Sequence, residues 1–277
     1  MKFSKWHGLG NDFILLELAK NSSFQAGEVV ERLCDRHFGI GADGVVTIRP
    51  LGGTAFEMRI YNSDGTEPEM CGNATRCVGL YIKRRMLCRG DEFELHTKAG
   101  IVRPRVLDEC SVTVNMGVPR LLRGEIPVAG DPDGEAREVK LSVDGHEFTA
   151  FCVSMGNPHA VIFVPDIRAV ELEKWGRVLE CDPQFPRKTN VEFVEVRTPN
   201  MVRMRVWERG CGVTTACGTG SCATVVAGKL SGRTGECVTV LLDGGELVIR
   251  YAPEEDNHVY MTGPAVEVYR GELVERI

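Results

Sequence analysis

Two cysteines stand directly before short, glycine-containing turns, and each turn leads into an apolar run with helical spacing. Cys217 precedes Gly218-Thr219-Gly220, and Cys71 precedes Gly72-Asn73-Ala74. The N-terminus of a helix presents unpaired N–H groups and a partial positive charge. A thiol at that position is expected to have its pKa lowered from about 8.5 to roughly 3.5–7.5. The pattern is also compatible with two buried structural thiols, but it suits a pair that takes up and releases protons.

The two cysteines belong to an internal repeat with an offset of 146 residues (217 − 71). The same offset relates Gly10-Asn11 to Gly156-Asn157, so the spacing from asparagine to cysteine is identical in both halves. A duplication of this kind predicts two similar units that complete one site together. We expect the two thiols to face each other across a pseudo-twofold axis. This geometry suits a reaction that needs an acid on one side of a carbon and a base on the other.

Several polar residues in turns or at strand ends are candidates for binding an amino acid. Arg209 is suited to binding a carboxylate through two hydrogen bonds, and Glu208 is suited to receiving an ammonium group or tuning a thiol. The alternative is that the two residues are a solvated pair in a loop without a role in binding. His159 is either a hydrogen-bonded core residue or the charge partner of a thiolate. Asparagines also stabilise turns for purely local reasons. The candidate asparagines are Asn11, Asn62, Asn157 and Asn190.

Composition argues against several classes of protein: nucleic-acid-binding, membrane-bound and secreted. The chain has 277 residues and a formal net charge of −6, which argues against nucleic acid or an anionic membrane as partner. The eleven cysteines are scattered and odd in number, and the N-terminus carries no apolar signal segment. These features favour reduced thiols in the cytoplasm. The spacing of Cys71 and Cys77 is not that of a zinc site, so we expect no metal.

The elements that position these residues follow the same order in both halves. Alternating strands lead to each asparagine, and the one strongly apolar helix of each half follows its cysteine. Proline and glycine recur between residues 117 and 137, which marks a domain boundary. We therefore predict an α+β protein of two pseudo-symmetric domains, residues 1–117 with 263–277 and residues 118–262. Each is expected to be a curved, largely antiparallel sheet or barrel around a central helix.

At these residues the sequence resembles the diaminopimelate epimerase family, whose members work without pyridoxal phosphate. The resemblance runs along the whole chain and rests on several motifs. These are residues 3–13 (FSKWHGLGNDF), Cys71-Gly72-Asn73, residues 154–159 (SMGNPH), Asn190, Glu208-Arg209-Gly210 and residues 216–220 (ACGTG).

The resemblance implies a homodimeric isomerase that converts LL- to meso-diaminopimelate, for lysine and peptidoglycan precursors, with no cofactor. It implies that Cys217 accepts the α-proton of the LL substrate and that Cys71 donates one from the other face. His159 and Glu208 would tune the thiols, and Tyr269 would lie at the dimer contact. The implied substrate-binding residues are Asn11, Asn62, Gly72, Asn73, Asn157, Asn190, Glu208, Arg209, Gly218 and Thr219.

The chain departs from the family pattern at Gly44, where some members carry glutamine, so one substrate contact is expected to be missing. Two other functions therefore stay open. One is a two-thiol racemase of another amino acid, such as hydroxyproline. The other is a binding module without catalytic activity on the same scaffold.

Overall fold

The chain folds into two compact units, as seen in a computed structural model that describes residues 1–20, 22 and 24–274. Unit 1 comprises Met1–Asn115 and Thr262–Ile277, and unit 2 comprises Met116–Met261. None of the helices in the described residues is long and apolar enough to span a membrane.

Eighteen strands, four α-helices and one 3-10 helix (Ile167–Ala169) are found in the described residues. In chain order they are β1 (Lys2–Gly8), β2 (Asn11–Glu17), α1 (Glu28–Cys34), β3 (Gly44–Gly52), β4 (Ala55–Asn62), α2 (Gly72–Arg84), β5 (Glu94–Thr97), β6 (Gly100–Val102), β7 (Pro104–Val106), β8 (Ser111–Asn115), β9 (Val139–Val143), β10 (His146–Ser154), β11 (Pro158–Phe163), α3 (Leu172–Glu180), β12 (Asn190–Thr198), β13 (Met201–Glu208), β14 (Gly212–Thr214), α4 (Gly218–Leu230), β15 (Cys237–Leu242), β16 (Gly245–Tyr251), β17 (Val259–Pro264) and β18 (Val266–Glu272).

In unit 1, one sheet runs in the order β18-β1-β2-β3-β4-β5-β6. Its pairings are antiparallel except for β2–β3 and β4–β5. A parallel pair needs a crossover connection, which α1 and α2 supply. Helix α2 is buried from Gly72 to Ile82 and packs against β1, β7 and β8. It is the central helix of the unit.

Unit 2 repeats this plan in the strand order β9-β10-β11-β12-β13-β15-β16. The parallel pairs are β11–β12 and β13–β15, with α3 and α4 as the crossovers. Helix α4 is buried from Gly220 to Gly228 and packs against β10, β11, β12 and β16. Its first turn carries the second cysteine motif.

The offset of 146 residues persists in the strand register. Phe13 pairs with Gly44 in unit 1, and His159 (13 + 146) pairs with Asn190 (44 + 146) in unit 2. Helices α2 and α4 each have 13 residues and begin 146 residues apart (218 − 72). The predicted α+β class, with mostly antiparallel sheets and a buried helix in each half, is confirmed. The two parallel pairings in each unit were not predicted.

Candidate active site

Each thiol is the residue that precedes the central helix of its unit. Cys71 has φ −142° and ψ 116°, and Cys217 has φ −126° and ψ 111°, so both residues are extended and the helix begins with the next residue. Such N-terminal positions leave backbone N–H groups without helical partners. Both helix starts are therefore suited to binding a carboxylate close to a sulfur atom.

In unit 1, the Cys71 thiol lies beside Asn11 at the start of β2. Asn11 Oδ1 is 3.8 Å from Cys71 Sγ and accepts a hydrogen bond from Asn73 Nδ2 at 3.1 Å. Asn73 Oδ1 in turn accepts from the guanidinium of Arg76 at 2.9 Å. Arg76 is fully buried and also donates to the Pro264 carbonyl. A buried cation is thus linked to the thiol through Asn73 and Asn11.

The other side of Asn11 is held by a network of charged groups. Asn11 Nδ2 donates to Asp43, which pairs with Arg36. Asp12 pairs with Arg36 at 2.8 Å and with the buried Lys5 at 2.7 Å. Burial alone would raise the pKa of Asp12, but the hydrogen bonds from Arg36 and Lys5 outweigh it and hold that pKa well below its usual range. The network fixes Asn11 in one orientation.

In unit 2, the Cys217 thiol is almost fully buried, with 4% of the residue exposed. Its sulfur accepts a hydrogen bond from the Gly220 N–H at 3.4 Å and lies 3.6 Å from the Thr219 hydroxyl. The first turn of α4 therefore bends around the sulfur, as expected for a residue that caps a helix.

The expectation that the helix start lowers the thiol pKa is wrong for Cys217. Burial raises the pKa of Cys217 well above its usual range, and the negative charges of Glu208 and Glu192 raise it further. The hydrogen bonds from Thr219 and Gly220 act in the opposite direction but are outweighed.

His159 is fully buried, and both of its ring nitrogens are engaged. Nδ1 lies 2.7 Å from Glu192 Oε1, and Nε2 lies 3.0 Å from Asn157 Oδ1. The direct partners of His159 are thus a carboxylate and an amide. Glu192 was not among the residues selected from the sequence, although a glutamate in the apolar strand Asn190–Thr198 was a signal.

Asn190 and Arg209 meet at the end of β13. Asn190 accepts from the Arg209 N–H at 2.9 Å and donates to the Pro158 carbonyl at 2.7 Å. The exposed Arg209 side chain donates to the Arg187 carbonyl, and Glu208 accepts from the Thr214 hydroxyl. These contacts anchor the turn that presents Glu208 and Arg209. Gly218 and Thr219, the first two residues of α4, are half-buried.

The remaining selected residues lie on the sheet of unit 1. Asn62 ends β4, is exposed and donates to Thr66 at 3.0 Å. Gly44 pairs with Asn62, and a β-carbon at Gly44 would lie 2.5 Å from the Tyr61 carbonyl oxygen. The local backbone therefore excludes a side chain at position 44. Tyr269 lies on β18, at an end of the seven-stranded sheet, and is 45% exposed.

Within residues 1–20, 22 and 24–274, no group of three or more His, Cys, Asp or Glu side chains is placed to hold a metal ion. The arrangement is that of a thiol, a set of amides and a helix N-terminus in each unit. These groups can bind an amino acid and move a proton.

Comparison with known sequences identifies the family. A family model described as diaminopimelate epimerase matches residues 3–122 and 151–268. The curated relatives include a diaminopimelate epimerase from Pelotomaculum thermopropionicum, 50% identical over 283 residues and covering 100% of both chains. Another is the diaminopimelate epimerase from Carboxydothermus hydrogenoformans, 50% identical over 275 residues, which are 98% of this chain and 99% of the relative.

Solved structures of more distant proteins share the fold. A phenazine biosynthesis protein of the PhzF family from Bacillus anthracis has a TM-score of 0.70 at 14% identity, covering 99% of each chain. A hydroxyproline epimerase from Agrobacterium vitis has a TM-score of 0.67 at 15% identity, covering 99% of this chain and 90% of that one. At such identities the likeness concerns the fold alone. The sequence matches, by contrast, span the whole chain, and they show that it belongs to the diaminopimelate epimerase family.

Proposed function

We propose that this protein interconverts LL- and meso-diaminopimelate, with Cys71 and Cys217 as its two proton carriers and without a cofactor. Family membership and full-length identity of about one half to relatives named diaminopimelate epimerase support the substrate. The observation that supports the mechanism is the placement of both thiols. Each caps the buried central helix of its unit, at positions 146 residues apart (217 − 71).

The reaction breaks one C–H bond and forms another on the opposite face of the same carbon. A thiolate takes the α-proton and becomes a thiol, while the second thiol gives its proton to the carbanion and becomes a thiolate. Atoms and charge balance, and each turnover exchanges the protonation states of the two sulfurs. For the LL substrate, Cys217 is the acceptor and Cys71 the donor.

The carbanion formed from an α-C–H bond requires strong electrostatic stabilisation. Backbone N–H groups at Gly72 and Asn73, and at Gly218 and Thr219, are oriented before the reaction and bind the substrate carboxylate. Such donors stabilise negative charge most strongly in a site that excludes water, because the local dielectric constant is low. They also need no reorganisation when the charge forms.

The other selected residues bind and orient the substrate. Glu208 receives the α-ammonium, whose positive charge offsets the carboxylates that raise the pKa of Cys217. Arg209 binds the distal carboxylate, and His159 tunes the thiol through its neighbours. The asparagine amides supply further hydrogen bonds to the substrate: Asn11, Asn62, Asn157 and Asn190.

Proton NMR in heavy water tests this function directly. Purified protein with LL-diaminopimelate should produce the meso form with deuterium at the inverted carbon. At early times the remaining LL substrate should still carry protium, because the acceptor and donor are different groups. If hydroxyproline but not diaminopimelate exchanges, the other racemase is correct. If no amino acid gains deuterium, the protein is a binding module.

We infer a homodimer that forms through β18. Among the described residues this strand pairs with β1 alone, and Val266, Val268 and Tyr269 on it are 39%, 54% and 45% exposed. An edge strand with exposed apolar side chains is a template for pairing with a second copy. Light scattering should give a dimer mass for the native protein and a monomer mass for Tyr269→Arg; a dimer in both would contradict the β18 interface.

We place the protein in the cytoplasm and expect no nucleic-acid or membrane partner. None of the eleven cysteines forms a disulfide in the described part of the chain, five of them are buried, and the net charge is −6. Free thiols persist where the compartment is reducing. Fractionation of cells and thiol counting under denaturing conditions check this placement.

A further inference from the structure

A buried carboxylate lies behind the Cys217 helix. Glu192 and His159 are both fully buried, and Glu192 Oε1 is 2.7 Å from His159 Nδ1. The second carboxylate oxygen, Oε2, is buried and has no hydrogen-bond partner among the described residues. Burying a carboxylate costs free energy unless both of its oxygens are paired or hydrogen-bonded. The unpartnered oxygen of Glu192 therefore calls for a functional explanation.

The strand register explains why this pair faces α4. β11 and β12 are parallel, with His159 opposite Asn190, so Glu192 is one full strand period further along on the same face. The residues between them belong to the apolar cluster on the α3 side of the sheet, which includes Ala160, Val191 and Phe193. The alternation therefore directs His159 and Glu192 to the face against which α4 packs.

The carboxylate reaches the first turn of α4 because residue 220 is glycine. A β-carbon on Gly220 would lie 2.7 Å from Glu192 Oε1 and 3.2 Å from Cys217 Sγ. Both atoms thus border the same small space at the helix start. Gly220 also donates its N–H to the Cys217 sulfur. The Glu192 carboxylate and the Cys217 sulfur thus lie on either side of the space that a side chain at residue 220 would occupy.

Unit 1 lacks this arrangement at the equivalent positions. By the offset of 146 residues, the position equivalent to Glu192 is Val46, that equivalent to His159 is Phe13, and that equivalent to Gly220 is Ala74. Val46 and Phe13 are buried apolar residues, and Ala74 is fully buried. The fold therefore does not require a carboxylate here. The charged pair is a property of the Cys217 unit.

We propose that Glu192 is a positioning residue of the Cys217 site. Its carboxylate accepts the Nδ1 proton of His159, fixing that ring, and its charge behind the first turn of α4 makes the Cys217 thiolate a stronger base. A more basic thiolate is a better acceptor for a weakly acidic α-proton. The inference rests on the proposed role of Cys217 as a proton carrier.

The charged and titratable groups around Cys217 agree with this role. From β12 and β13 the carboxylates of Glu192 and Glu208 raise the pKa of Cys217, after burial as the largest cause. From β11, His159 acts through Glu192. Burial raises the pKa of Glu192, and the His159 charge opposes that shift. The strands β10 and β16 contribute mainly apolar side chains: Phe151, Val153, Leu247, Ile249 and Tyr251, whose hydroxyl donates to Asn257.

Replacing Glu192 by glutamine removes the charge and keeps the shape and an acceptor for His159. We expect Glu192→Gln to lower the pH midpoint of Cys217 ionisation by about one unit, which gives about tenfold more thiolate at any pH below the midpoint. The ¹³Cβ signal of labelled cysteine reports this ionisation without substrate. Its assignment comes from the signal that is lost in Cys217→Ala.

A matched control is Glu195→Gln on the same strand. Glu195 accepts from the Ile167 N–H at 3.1 Å and pairs with Arg197, so it is a hydrogen-bonded carboxylate on the opposite face. This variant should leave the Cys217 midpoint unchanged. A midpoint that stays constant or rises in Glu192→Gln would overturn the inference.

A second measurement needs no substitution at Glu192. In protein with ¹⁵N-labelled histidine, His159 Nδ1 should carry a proton, with the signal assigned by its loss in His159→Gln. An Nδ1 without a proton would contradict the proposed acceptor role of Glu192, even if Glu192→Gln does not fold.

The kinetic consequence separates this role from a purely structural one. Glu192→Gln should lower kcat about tenfold and move the low-pH limb of the kcat profile about one unit down, with KM nearly unchanged. An inactive native protein would refute the proposed function, yet the two NMR measurements would still decide the role of Glu192. A parallel loss in kcat and rise in KM without a pH shift would indicate structural damage only.

Discussion

The two helix starts that carry the thiols share one backbone and differ in their electrostatics. Cys71 is partly exposed, lies beside an amide and has the buried cation Arg76 one turn further along α2. Cys217 is buried, with the carboxylates of Glu208 and Glu192 raising its pKa. The position equivalent to Arg76 is Cys222 (76 + 146). The duplicated frame therefore links one thiol to a buried cation through Asn73 and Asn11, and places the other thiol near two carboxylates.

The two units also differ in the sizes of one strand residue and one helix residue that face each other, a difference called here the size exchange. Unit 1 has a valine on the strand and an alanine on the helix (Val46, Ala74), and unit 2 has a glutamate on the strand and a glycine on the helix (Glu192, Gly220). The larger strand residue fits because the helix residue is smaller. The comparison teaches that a repeat can preserve register while its side chains make the two halves chemically unequal.

The largest effect is expected from replacing either of the two thiols that the comparison concerns. Cys71→Ser and Cys217→Ser should each reduce epimerisation by roughly 10²–10⁴-fold, because each removes one positioned proton carrier. Deuterium incorporation from heavy water measures the loss. Cys110→Ser and Cys211→Ser, at exposed thiols, are the controls and should retain near-native rates. Near-native activity in either helix-start variant would exclude the two-thiol mechanism.

Removing the fully buried guanidinium of Arg76 should be the next largest change. Arg76→Met keeps a long apolar side chain but deprives Asn73 Oδ1 and the Pro264 carbonyl of their donor. We expect a loss of about 3 kcal/mol in the free energy of unfolding. Urea denaturation measures it, with the solvent-exposed Arg89→Met as control. A change below 1 kcal/mol would show that Arg76 does not hold the site.

The size exchange can be tested by a double-mutant cycle. Gly220→Ala alone should cost about 2 kcal/mol, since its β-carbon meets Glu192 and the Cys217 sulfur. In a Glu192→Val background the same change should cost about 1 kcal/mol less. Gly228→Ala is the control, because its β-carbon meets Thr234 instead and its cost should be equal in both backgrounds. Equal costs for Gly220→Ala would disprove the exchange.

The smallest effect concerns the ion network of unit 1 and depends on pH. The pKa of Asp12 is depressed in the folded protein, so its stabilisation is present above its unfolded pKa of about 4 and is lost as the pH falls towards its folded pKa. Asp12→Asn should lower the free energy of unfolding by about 1 kcal/mol at pH 7, because the exposed Arg36 partner is screened by solvent, and the difference should shrink below pH 4.

The control for that measurement is Asp133→Asn, at an exposed aspartate. It should change the free energy of unfolding little at any pH. A difference between native protein and Asp12→Asn that stays constant down to pH 2 would show that the Lys5 and Arg36 pairs do not govern the stability of unit 1.

The sequence by itself determined the frame of this protein. The offset of 146 residues, the cysteine before each buried helix and the α+β class are local or repetitive patterns, which a linear reading detects. The family followed from motifs spread along the chain. The parallel pairs β2–β3 and β11–β12 were not foreseen, because strand direction depends on how a connection crosses the sheet.

Only the tertiary structure decided the charge around each thiol. From the helix start alone the pKa of Cys217 was expected to fall, but burial and two carboxylates from β12 and β13 raise it. Glu192 is 25 residues from Cys217 in sequence (217 − 192), and only strand register and the missing β-carbon of Gly220 bring them together. Helix starts are set by neighbouring residues, whereas pKa values depend on whatever the fold places within a few ångströms.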